Sequence, residues 1–196
     1  FAPQVKGLEI PGYEPRALQT MALGFAVSSR GADHNRSGAY EIDFSEQGNR
    51  RQGSPAAAEG AMATEDRATI MDCLILCKFL RGALDDFYGE AAAMLSHVTG
   101  WDVDGEELQQ VARRVAAARK LFNIQSGWTP EEDSLPARFL STALPDDPQA
   151  RLTAEQLEEM VRAYNRGRGW EDNGFLPDEL LLQYGLDSFA GGPRTR

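Results

Sequence analysis

Along most of the chain, apolar residues recur every three or four positions, the spacing of one helix face. From Glu14, the segment EPRALQTMALGFAVSSRG puts Leu18, Met21, Ala22, Phe25 and Ala26 on one side. Pro15 suits its first turn and Gly31 its exit. ADHNRSGAYEIDF then reads as a loop, with EIDF at 41–44 the one strand candidate. Residues 46–62, rich in Gly, Arg and small side chains, read as an exposed, mobile loop. A long helix is expected from about Thr64. It carries Asp72, Cys73, Cys77 and Phe79, and Gly82 ends or bends it.

The helical pattern continues through ALDDFYGEAAAMLSHVTG. Asp104 can cap the next helix, with Glu107 three residues on and Leu108, Val111, Ala112, Val115 and Phe122 at helical spacing. SGWTPEEDSLPARFLSTALPDDP holds four prolines and cannot be one helix. It reads as an extended arm packed by Leu135, Phe139 and Leu144. Thr153 with Gln156 forms a capping-box pattern before Leu157, Met160, Val161 and Tyr164. A short helix runs from near Pro177 to near Gly185. No strand-like alternation or internal repeat is sustained. The fold class is therefore all-α: an irregular helical region over residues 1–189 with a Pro-rich arm. It divides, if at all, into subdomains at roughly 1–125 and 126–189. Residues 190–196 read as a frayed tail.

Composition changes this picture little. The chain has 196 residues, 42% apolar and 26% charged, enough to bury a substantial core. Its net charge of −10 repels phosphate backbones, which argues against nucleic acid. No apolar run is long enough to span a bilayer. The opening FAPQVKG lacks both an initiator Met and a signal-peptide pattern, which suggests an excised or processed piece. Two cysteines are too few for a disulfide framework, and an i, i+4 pair within one helix is poorly placed to bridge. Two reduced, buried thiols in a cytoplasmic protein is the plain reading.

The candidate chemistry is sparse. His34, beside Asp33, Asn35 and Arg36, is an acid–base candidate or a structural loop histidine. His97 reads as structural. Tyr13 precedes a helix and can face a site or simply pack. Asp72 stands beside Met71, Cys73 and Leu74, where a carboxylate must be paired or hydrogen-bonded. A ligand edge with two parallel N–H donors would satisfy it, and so would an Arg of this chain. No Walker loop, HExxH or G-x-S-x-G motif is present.

Four segments in order resemble the C-terminal region of the aldehyde:ferredoxin oxidoreductase family. They are GLEIPGYEPRALQTMALGFAVSSRGADHNR, MDCLILCKF, RKLFNIQSGWTPEEDSLPARFL and MVRAYNRGRGWEDNGFLPDELLLQYGL. The resemblance implies a tungsten (or molybdenum) bis-pterin and a [4Fe-4S] cluster in the full-length protein. It also implies aldehyde oxidation, with electrons passed to ferredoxin or a ferredoxin-like subunit. The family's D-x-x-G-L-C motif reads Asp72-Cys73-Leu74-Ile75-Leu76-Cys77 here. Asp72 and Leu76 would contact the pterin, and Cys77 would be one cluster ligand. Ile75 replaces the motif glycine, and Cys73 falls on a variable position. Tyr13 and His34 match an active-site tyrosine and histidine, and Arg36 falls where some relatives have a lysine. The family's N-terminal cofactor-cradling domain and its C-x-x-C-x-x-x-C run are absent from this chain. The chain alone is therefore expected to hold neither cofactor and to be inactive. It would need that N-terminal domain or subunit as a partner; whether it forms a homodimer is open. Two alternatives stay beside this reading: a tungsten-dependent aromatic acyl-CoA reductase-like subunit, and a non-catalytic helical interaction domain.

Overall fold

A small hairpin opens the chain in the computed structural model, which describes residues 2–45 and 49–191. Strand β1 (Gln4–Val5) pairs antiparallel with β2 (Leu8–Glu9), Gln4 opposite Glu9 and Val5 opposite Leu8. The sequence reading missed it, because two-residue strands are too short to show alternation. Lys6 (φ 49°) and Gly7 (φ 82°) are both left-handed, the turn that matches strand twist. The Lys6 ammonium donates to the carbonyls of Ala26 (2.5 Å) and Ser28 (3.0 Å) and pairs with Asp133 (2.6 Å). The hairpin is thereby fastened over the end of the first helix.

That helix, α1 (Gln19–Val27), is buried on every side. QTMALGFAV contains no charge, and a helix apolar all round belongs in the core. It starts at Gln19 rather than in the turn after Pro15, where Arg16 folds back on Glu14 (2.7 Å). It ends at Val27, short of Gly31. Its N-terminus is capped from a distance. Asp43 accepts from the backbone N–H groups of Thr20 (3.0 Å) and Met21 (2.8 Å). This is why EIDF is not a strand: it lies in helix α3 (Tyr40–Asp43), which turns Asp43 inward. The expected loop before it likewise holds a short helix, α2 (His34–Ser37).

Helix α4 (Ala57–Cys73) is the central element. It begins earlier than Thr64, because Ala58 and Ala61 are already buried against the core. So the expected mobile loop is helical in its second half, while Glu46, Gln47 and Gly48 lie outside the described residues. It also ends earlier than expected, at Cys73, so Cys77 and Phe79 are not on it. Helices α5 (Phe87–Thr99) and α6 (Gly105–Gln125) follow, capped by Asp86 and by Asp104. Phe122 of α6, expected on the apolar face, is exposed, and so is His97 in the last turn of α5. The Pro-rich stretch is not wholly extended. It holds a 3-10 turn (Pro130–Glu132) and helix α7 (Ala137–Ser141), with Leu135 and Phe139 buried and Leu144 half-buried. Helix α8 (Ala154–Gly167) starts at the expected Thr153–Gln156 capping box, and α9 (Asp178–Gln183) follows Pro177. Of the expected frayed tail, residues 192–196 lie outside the described residues.

Two apolar clusters share α4. The larger joins Met21, Leu23 and Phe25 to Ala61, Leu121, Met160, Tyr164 and Leu181, and so draws on both sides of residue 125. The smaller joins Ile70 and Met71 to Phe87, Ala91, Leu108 and Ala112. A buried ionic knot locks α4 to the end of α8: Arg168 pairs with Asp66 (2.5 Å) and Glu65 (2.6 Å), and the Tyr164 hydroxyl donates to Glu65. Removing one member of such a knot strands a buried charge.

The remote cap makes a stability prediction. Asp43→Ala leaves two N–H groups at a buried helix end without partners, which costs roughly 2 kcal/mol. Burial, partly offset by those N–H bonds, raises the pKa of Asp43, so the site penalises the charge. Asp43→Asn, neutral with one acceptor, should therefore cost less than Asp43→Ala. Urea unfolding of the three chains checks both; an Ala variant as stable as wild type contradicts the cap.

Candidate functional site

Helix α4 stops in a closed hydrogen-bonded turn. Leu76 N–H bonds the Met71 carbonyl (2.8 Å), and Ile75 N–H bonds that of Asp72 (3.2 Å). These are the two bonds of a Schellman cap, with Ile75 at the left-handed position (φ 57°). A β-branched residue is strained there. The turn reverses the chain, exposing Ile75 (92%) and Phe79 (98%) while Leu76 packs against the smaller cluster. Both thiols are exposed, not buried as expected, because Cys73 ends the helix and Cys77 follows the turn.

Asp72 lies in the last turn of α4, where backbone carbonyls already point outward and disfavour an anion. It is not in apolar surroundings, as its sequence neighbours implied. Lys78 returns from the turn to pair with Oδ1 (2.9 Å), and donates to the Ala68 carbonyl (2.6 Å). Arg119 reaches Oδ2 from α6 (3.8 Å) and donates to Thr69 (3.2 Å). Asp72 is thus held at the surface by two cations of this chain.

It borders a cleft of about 530 Å³ lined by the hairpin, by Arg30 to Arg36, and by Lys78. Gly31 fixes one wall. Its φ is 85°, and a Cβ there would sit 1.9 Å from the Val5 carbonyl oxygen. Only glycine lets this segment lie against the hairpin. Asp33 then caps α2, its Oδ1 accepting from Asn35 N–H (2.9 Å) and Arg36 N–H (3.2 Å). That cap sets His34 and Arg36 on the cleft.

The structure therefore brings His34, Arg36 and Asp72 to one cleft from two distant segments. Tyr13 does not line it, but its ring lies 5.2 Å from that of His34 and stacks on Tyr40 at 5.0 Å. Leu76 and Cys77 lie outside the lining. The sequence reading missed Lys78, Arg119 and Tyr40. The Tyr40 hydroxyl accepts from Arg81, which also pairs with Glu41 (2.8 Å). Burial first of all raises the pKa of Tyr40. Only the Asp33 cap was readable locally, as an acidic residue just before HNRS. The other three depend on where α3, α6 and the turn meet.

The architecture has counterparts among known proteins. A family model described as aldehyde ferredoxin oxidoreductase, domains 2 and 3, matches residues 1–186. The chain belongs to the aldehyde ferredoxin oxidoreductase family. It is 30% identical over 191 residues to the tungsten-containing aldehyde ferredoxin oxidoreductases of Pyrococcus horikoshii and Pyrococcus furiosus, across 94% of this chain and 31% of each relative. The Thermococcus kodakarensis protein of the same description is 29% identical over 195 residues, across 96% of this chain and 31% of the relative. The chain thus spans under a third of these relatives. Its fold also resembles the active-site complex BamBC of benzoyl coenzyme A reductase in complex with 1,5-dienoyl-CoA. The TM-score is 0.60 at 19% identity, over 81% of this chain and 24% of that one. Among the described residues, no helix is long and apolar enough to cross a membrane.

The residue with positive φ is Ile75, which the sequence resemblance sets against a motif glycine. The turn keeps a glycine's backbone with an isoleucine in it. Ile75→Gly relieves a cost of about 1–2 kcal/mol and gives back part of it through the freer unfolded chain. The side chain is 92% exposed, so no packing is lost. A net gain near 1 kcal/mol is expected, read as a melting temperature higher by about 2–4 °C. An unchanged or lower melting temperature contradicts the strained cap.

Proposed function

We propose that this chain is the C-terminal part of an enzyme that oxidises aldehydes to carboxylic acids at a tungsten or molybdenum bis-pterin. The observation that carries the reading is the shared cleft of His34, Arg36 and Asp72, in a chain matched over residues 1–186 to this family. The reaction consumes an aldehyde and water and releases a carboxylate, two electrons and three protons.

The residues present fit part of the cofactor set. Asp72 is an ionisable acceptor on an open cleft, with its carboxylate already oriented by Lys78 and Arg119. It would hold the pterin through paired N–H donors. Cys77 is an exposed thiol that would ligate one iron. A four-thiolate cluster needs more than the chain's two cysteines, so the other ligands come from the partner domain. When bound, the metal–pterin group supplies the two-electron chemistry, and the cluster carries the electrons onward.

The chain's own residues supply positioning and protons. His34, braced by the Tyr13 ring, presents an imidazole to the cleft that can hydrogen-bond a carbonyl oxygen or accept a proton. Arg36 adds a permanent positive charge that favours the carboxylate product over the neutral aldehyde. The N-terminal cofactor-cradling domain and a ferredoxin-type acceptor are the partners of this reading.

Purifying the full-length protein without oxygen tests it. Tungsten or molybdenum, iron, and aldehyde-dependent dye reduction are expected together, with His34→Ala lowering turnover at least a hundredfold while metal content holds. A metal-free preparation, or full activity in His34→Ala, overturns it. Aromatic acyl-CoA reduction, the alternative activity within this fold, is separated by supplying that substrate in place of the aldehyde.

A further inference from the structure

The lining of the cleft carries three cations and three carboxylates, in a chain whose net charge is −10. Arg30, Arg36 and Lys78 line it, and Arg119 reaches its Asp72 from α6. The carboxylates facing them are Asp33, Asp72 and Glu9 of the hairpin. Asp72 takes up Lys78 and Arg119, which leaves Asp33 and Glu9 to face Arg30 and Arg36. Asp33 spends Oδ1 on capping α2. Its Oδ2 is shared by Nε of Arg30 at 3.4 Å and Nε of Arg36 at 3.7 Å, both beyond hydrogen-bond length. Among the described residues, neither guanidinium donates a hydrogen bond, and no salt bridge forms at Glu9. The crowding registers on Arg119, held below the usual arginine range first by burial and then by the charge of Arg36.

We propose that Arg30 and Arg36 form an oxyanion subsite in this cleft, which binds a carboxylate or phosphate group of substrate or product. A guanidinium offers two parallel N–H donors, the arrangement that matches two oxygens of one anion. Two such groups, neither donating a hydrogen bond among the described residues, have donors free for a ligand. A cleft of about 530 Å³ has room for a small organic acid. This rests on the proposed function only for where the anion comes from. One source is the carboxylate made by oxidation. The other is a separate anionic group on the substrate, remote from the reacting carbon.

The metal-free chain carries the test, so binding can fail while the full-length enzyme still oxidises aldehydes, and the reverse. Benzoate, glutarate and inorganic phosphate are titrated against it, with benzamide as the neutral control. The arginine Nε–H resonances and titration heat report binding. Saturable binding of benzoate and phosphate in the millimolar range is expected, with none for benzamide. Arg30→Gln and Arg36→Gln should each weaken it at least tenfold without shifting the melting temperature. Should either glutamine variant unfold, Arg36→Lys keeps the charge and loses the fork, and a several-fold weakening is expected there. Glutarate at least tenfold tighter than benzoate assigns the anion to a second group on the substrate; equal affinities assign it to the product. No saturable binding, or equal affinity in wild type and the Arg30→Gln/Arg36→Gln double variant, overturns the subsite.

Discussion

An aspartate in the last turn of a helix faces the negative end of the helix dipole, and Asp72 faces it at the end of α4. Such a carboxylate needs cations close by. Lys78 arrives because the chain reverses at Ile75, and Arg119 because α6 packs along α4. The strained left-handed turn, the ion pairs and the open cleft are therefore one arrangement. Take away the turn and Lys78 no longer meets Asp72. Extend α4 through it, as the apolar run LILCKFL would suggest, and Cys77 would sit a helical turn beyond Cys73 on the same rod. The turn instead separates an exposed thiol from a clamped carboxylate.

The rest of the fold holds α4 where this works. Arg168 anchors its middle through Glu65 and Asp66, inside the larger core. The hairpin is fixed to α1 through Lys6, and Gly31 lets the Arg30–Arg36 segment lie against it. Two walls of the cleft thus hang from α1 and a third from α4. His34 and Asp72, far apart in sequence, meet because α1 and α4 pack in one core. A short N-cap by Asp33 does the local aiming.

Helix positions that own their caps were legible in the sequence. Asp104 with α6 and Thr153–Gln156 with α8 lie where the pattern put them, because those caps are local. The start of α1 was misjudged because its N-terminal cap comes from Asp43, in a different helix. EIDF was misread for the same reason: its apparent alternation serves Asp43, not a sheet. Residue chemistry singled out Asp72 and offered His34 as one of two readings, and the family resemblance added their roles and Arg36. Composition and spacing alone left His34 undecided. The two cations that hold Asp72 were not legible. One follows a turn whose strained residue, an isoleucine, gives no turn signal. The other lies on a helix forty-odd residues downstream, on a face that only the packing defines.

The account stands on Asp72 facing a ligand rather than serving stability alone. The direct measurement is pterin content, beside melting temperature, in full-length protein carrying Asp72→Ala. The carboxylate is a third exposed and leaves the core intact, so the melting temperature should stay within about 3 °C while bound pterin falls at least tenfold. Wild-type pterin content in that variant would contradict the account and leave Asp72 as a surface ion pair.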